Sequence, residues 1–184
     1  MCRLKNFLPT HILRLLYNSL ILPHLQYSIL AWGFKMGRLE KLQKRAVRII
    51  TRSKYNSHTD PLFKKLNLLK VNDLFETNVL KLYYKYQNKT LPIYISNMFA
   101  EFTCTHSYKL RKKSILDNEG SNKPSGDKCI RHHLPVVINN AKPDILDKIS
   151  THTIQGFAFY IKRITINNYR LECVDRDCFI CNYR

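Results

Sequence analysis

A chain of 184 residues with 45% hydrophobic and 11% aromatic side chains can bury a core, which excludes a disordered polymer. Its 31 lysines and arginines against 13 carboxylates leave a net charge of +18 and a pI near 9.8. Such a balance makes a polyanion the natural partner, and residues 1–100 hold most of it, with 17 basic against 4 acidic side chains.

The apolar stretch from Ile12 to Phe34 is interrupted by Arg14, Asn18, Pro23, His24 and Gln26. It reads as a buried helical hairpin rather than a membrane span, so no membrane partner is expected. Thr10 is placed to cap a helix carrying Ile12, Leu13, Leu16, Leu20 and Ile21 that stops near Leu22. Pro23 suits the first turn of a second helix with Leu25, Ile29, Leu30 and Trp32 on its apolar face, and Gly33 and Gly37 bracket the turn that follows.

From about Arg38 to Arg52 the pattern is a helix with segregated faces. At roughly 100° per residue, Arg38, Lys41, Arg45, Arg48 and Arg52 fall within an arc of about 80°, and Leu39, Leu42, Ala46, Ile49 and Ile50 within an adjacent arc of about 100° that would seat the helix on a core. A row of guanidinium and ammonium groups suits a row of phosphates, because each contact releases counterions and arginine can hold two oxygens at once. The competing reading is a solvated surface, but such a face ordinarily mixes signs, and Glu40 is the only acid from Met36 to Tyr55. Arg38, Lys41, Lys44, Arg45, Arg48 and Arg52 are therefore the expected nucleic-acid contacts.

Further along, Thr59 can cap a brief helix with Pro61 in its first turn, and Asn72 the next, on which Val71, Leu74, Phe75, Val79, Leu82, Tyr83 and Tyr86 share a core face. Residues 114–127 turn to Asn, Gly, Ser, Pro and charge and read as a linker. Beyond it, Cys129–Asn139, Ile145–Ile149 and Ile154–Tyr169 look helical. The expected class is mainly α, a helical bundle followed by a linker and a smaller helical, Cys-containing tail.

Six cysteines with no recognisable signal peptide point to an intracellular, reducing compartment, nucleus or cytoplasm. Cys173, Cys178 and Cys181 place three soft ligands within nine residues, with the last pair at zinc-knuckle spacing. No fourth ligand is evident, although His152, Cys104 or Cys129 could supply one. A structural zinc and unliganded thiols both stay open, and no other cofactor is required. The seven histidines show no metal-binding or nucleophile-activating pattern, and Asp175 and Asp177 lack a third carboxylate. The five glycines are scattered and form no phosphate-binding loop.

The segment Leu16–Tyr27 (LYNSLILPHLQY) followed by Ala31-Trp32-Gly33, and the later Leu39–Ile50 (LEKLQKRAVRII), resemble the stretch after the palm in non-LTR (LINE-type, jockey-like) retrotransposon reverse transcriptases. His58–Phe63, Tyr83–Gln87 with Leu91-Pro92, and Gly156–Ile161 with the Cys-rich end are similar as well. Ser28 stands where that family commonly has Gly, and the tail lacks a full Cys-Cys-His-Cys set.

The resemblance implies that residues 1–100 form a thumb-like helical domain gripping a template–primer duplex, with 101–127 a connector and 128–184 a C-terminal segment. It also implies a parent RNA-directed DNA polymerase whose palm carries paired aspartates, whereas this sequence has no two adjacent aspartates. With Met1 only a few residues before the thumb, the chain is expected to be a non-catalytic fragment that binds RNA, DNA or hybrid duplex. The alternatives are a polymerase subunit completed by a palm on another chain, and a helical interaction domain or inert relic.

Overall fold

A computed structural model describes residues 3–33, 36–97, 99, 115–116 and 130–171. The fold is mainly α, with no strand among the described residues. The chain divides into two compact units, Met1–Leu74 with Lys162–Arg184, and Phe75–Ile161.

The first unit opens with α1 (Thr10–Leu16). Pro9, not Thr10, occupies the N-cap, with ψ near 160°, and its carbonyl accepts the Leu13 N–H at 3.1 Å. The expected stop near Leu22 does not occur. Instead Tyr17–Ile21 forms a π-helical turn that leads directly into α2 (Leu22–Gln26), the Leu22 N–H reaching back to the Tyr17 carbonyl. Pro23 gives the physical reason, since its ring would collide with the carbonyl four residues earlier in a regular α-helix, and a widened turn makes room without breaking the rod.

Three buried side chains, Leu13, Tyr17 and Leu25, hold this rod on the core. Ser28 then takes a left-handed backbone, φ 48° and ψ 28°, before α3 (Ile29–Trp32), and the Trp32 indole N–H donates to the Tyr27 carbonyl at 2.7 Å. A β-carbon is strained in this region, where glycine is at ease.

Helix α4 (Gly37–Thr51) packs against α1 and α5 (Asp60–Leu66). Both α4 and α5 end on left-handed residues, Arg52 and Asn67. In each the two following N–H groups fold back on the last turn, Ser53 to Arg48 and Arg52 to Ile49 in α4, Leu68 to Phe63 and Asn67 to Lys64 in α5. These bonds satisfy carbonyls that a helix end otherwise leaves open. Thr59 stands at the N-cap of α5, buried, but its hydroxyl makes no capping bond.

Helix α6 (Val71–Gln87) begins one residue before Asn72, so Asn72 lies inside it rather than capping it. Within the first unit, Tyr169 closes the start of α6. Its hydroxyl donates to the Asp73 carboxylate and accepts the Lys70 N–H at 3.1 Å, and its ring meets Phe63 edge-on at 6.4 Å. Burial raises the Asp73 carboxyl above its ordinary range, with the Tyr169 bond only partly opposing it.

The second unit is built on Phe75, Val79, Leu80 and Tyr83 of α6, all buried, with Leu134 and Ile138 of the proline-containing α8 (Ile130–Asn140) and Phe157 and Ile161 of α10 (Ile154–Asn167). Between α6 and α8 lies the short α7 (Ile93–Ser96), and between α8 and α10 the short α9 (Pro143–Asp147). Tyr84 stacks on Phe157 at 5.2 Å and donates its hydroxyl to the His152 carbonyl at 2.7 Å. The Asn139 amide clamps the Leu116 backbone from both sides, donating at 2.9 Å and accepting at 3.1 Å.

Candidate nucleic-acid interface

The candidate surface begins with what faces the other way. On α4 the buried residues are Gln43, Val47 and Ile50, at spacings of four and three. The arc of Leu39, Leu42, Ala46, Ile49 and Ile50 expected to seat the helix is therefore rotated from the true one, and Leu42 is 60% exposed. Burial of a glutamine is what turns the helix. Its Nε2 donates to the Tyr17 hydroxyl and to the Leu69 carbonyl, both at 2.9 Å, and its Oε1 accepts the Val71 N–H at 2.9 Å.

Every polar atom of the Gln43 amide is thus matched, which removes the penalty that keeps most glutamines at the surface. The same side chain ties α4 to the rod at Tyr17 and to the start of α6. Burial holds the Tyr17 hydroxyl above its ordinary pKa, with the Gln43 bond acting in the opposite direction.

With Gln43, Val47 and Ile50 inward, the helical repeat of about 100° per residue puts Arg38, Lys41, Arg45, Arg48 and Arg52 on the opposite side. Arg38, Lys41 and Arg45 are exposed, and among the described residues no hydrogen bond or ion pair engages them. Lys44 is committed to Glu40 at 2.5 Å, one turn earlier. The Arg48 Nε donates to the Ser57 carbonyl at 2.9 Å, and its guanidinium sits 6.0 Å from the centre of the Tyr55 ring. Arg52 is fixed by its left-handed backbone and donates to the Leu8 carbonyl at 3.1 Å.

The six cations are thus of two kinds. Three are on the outer face with no bond among the described residues, and three are oriented by a bond that leaves part of the cationic head available. Among the described residues Glu40 is the only carboxylate partner of these cations, and the outward field there is positive.

Two residues that shape this surface, Gln43 and Tyr55, do not stand out in the sequence as part of it. Gln43 stood at helical spacing from Val47 and Ile50, which is the signal for its inward position. In the first unit, burial, and then the charge of Arg14, lower the Lys162 pKa. No local pattern links residues so distant in sequence. Tyr55, in the turn after α4, is 81% exposed beside Arg48.

Cys173, Cys178 and Cys181 lie outside the described residues, as do Cys104, Cys129, Asp175, Asp177 and most of the 114–127 linker. His152 places its ring edge-on to Tyr160 at 5.8 Å, with Nδ1 at 3.1 Å from the Thr151 hydroxyl. Among the described residues no group of three His, Cys, Asp or Glu side chains gathers in a way that could hold a metal, and no helix is long and apolar enough to cross a membrane. Comparison with known proteins gives no match to a family model, a curated protein or a solved structure.

Proposed function

We propose that this chain is a non-catalytic nucleic-acid-binding fragment of a non-LTR retrotransposon reverse transcriptase, gripping the backbone of RNA, DNA or hybrid duplex through α4. The observation that carries the reading is the outward row of Arg38, Lys41 and Arg45 on a helix whose other side is anchored by Gln43. On a helix whose backbone is already fixed, binding phosphates orders only the side chains of the row, and that cost is set against the counterions released. Lys44, Arg48 and Arg52 flank the row and extend it toward the C-terminal end of the helix.

Contacts of this kind fix position along a backbone and carry no base sequence, so binding is largely indifferent to sequence. The family assignment rests on the LYNSLILPHLQY and LEKLQKRAVRII segments. The non-catalytic assignment rests on the absence of adjacent aspartates in the 184 residues.

The test is duplex binding by the full chain as a function of salt. With about five phosphates engaged, log K against log salt should fall with a slope of about −4 to −5. A flat dependence would remove the phosphate row as the binding surface. A primer-extension assay on the same preparation should show no incorporation, and incorporation by the purified chain alone would overturn the non-catalytic assignment.

A further inference from the structure

We propose that the turn after α4 is a stacking site for an unpaired base, so that the favoured ligand is a duplex with adjoining single-stranded nucleotides rather than a blunt duplex. This deepens the phosphate-binding reading and rests on it.

Tyr55 is 81% exposed, yet the turn that carries it is not loose. The Ser57 N–H closes on the Lys54 carbonyl at 3.0 Å, and the Ser57 carbonyl receives the Arg48 Nε at 2.9 Å. The Arg48 guanidinium lies 6.0 Å from the Tyr55 ring centre, within reach of the ring's negative face. An arginine from the cationic row therefore both anchors the turn and sits beside its ring. At the same end of α4, Arg52 holds the Leu8 carbonyl at 3.1 Å, next to Phe7, which is 84% exposed.

The end of the phosphate row is thus bordered by solvent-facing rings that the fold does not use for its core. Aromatic rings beside cations are the pairing that single-stranded nucleic acid calls for, with the cations on phosphates and the π-face under a base. Bases inside a duplex are already stacked on one another and offer no free face to a ring lying beside the backbone. Unpaired nucleotides do, and every base has such a face, so the preference is for strandedness and not for sequence.

The experiment compares binding of the full chain to a blunt duplex and to the same duplex with a short overhang whose first unpaired base is 2-aminopurine. The native chain should bind the overhang duplex about tenfold more tightly than the blunt one, with the 2-aminopurine fluorescence quenched on binding. In Tyr55→Ala the ratio of the two affinities should fall to about one and the quenching should disappear, whereas Tyr55→Phe, which keeps the ring, should retain both.

Equal binding of the two duplexes by the native chain, or an overhang advantage that survives Tyr55→Ala, overturns the stacking site. The phosphate row still stands in that case if blunt-duplex binding weakens on charge reversal at Arg38, Lys41 and Arg45. No binding to either duplex overturns both.

Discussion

Helices α4 and α6 are similar in length, 15 and 17 residues, and opposite in how they use their surfaces. Along α4 only Gln43, Val47 and Ile50 are buried, and the remaining circumference carries five cations from Arg38 to Arg48. Along α6 Val71, Leu74, Phe75, Thr77, Val79, Leu80 and Tyr83 are all buried, and the half-buried Lys81 has its pKa lowered by desolvation. A helix buried on most sides supplies stability and has little surface left for a ligand. One attached along a single narrow stripe can display charge on the rest, provided the stripe is held firmly.

The largest expected effect separates the two helices by one substitution type. Leu80→Ala in α6 should cost about 2–5 kcal/mol, since a nearly fully buried side chain leaves a cavity. Leu42→Ala in α4 should stay within about 0.5 kcal/mol, because that side chain is mostly in solvent. Urea denaturation of both variants measures the contrast, and equal losses would erase the distinction between the helices.

Gln43→Ala is the next largest. It strands the Leu69 carbonyl, the Val71 N–H and the Tyr17 hydroxyl, at a cost of about 2–4 kcal/mol given roughly 1–3 kcal/mol for each unsatisfied buried group and partial relaxation. The denaturation midpoint should drop accordingly. A loss no larger than that of Leu42→Ala would mean that the amide is not what anchors the stripe.

These two positions also mark how far the sequence could be read. The extent of α4 and the alignment of its cations follow from helical spacing alone, and the mainly α class follows from the periodic apolar residues. The inward direction of α4 did not, because a glutamine reads as surface until Tyr17, Leu69 and Val71 are seen to meet it, and those partners lie 26 to 28 residues away. The π-turn was missed for a related reason. Pro23 signals a helix start as readily as a widened turn, and local spacing does not distinguish the two. Likewise, spacing placed Arg48 and Arg52 in the row but could not reveal the carbonyls that orient them.

A smaller effect of opposite sign is expected where the chain turns toward α4. Ser28→Gly should relieve the left-handed strain, worth roughly 1–2 kcal/mol, less the ~0.5–1 kcal/mol that glycine adds in unfolded-chain entropy. The net gain is about 0.5–1 kcal/mol, visible as a raised denaturation midpoint. An unchanged or lowered midpoint would mean that the serine is held there by more than its backbone.

The most direct test of the account reverses the outward row while leaving the anchored stripe intact. The triple variant R38E/K41E/R45E should unfold at nearly the native denaturant concentration, because none of the three side chains makes a bond among the described residues. It should lose at least tenfold in duplex affinity, and the salt slope should fall by about 3. A variant that folds normally and binds duplex with native affinity and native salt slope would contradict the assignment of α4 as the phosphate-gripping helix.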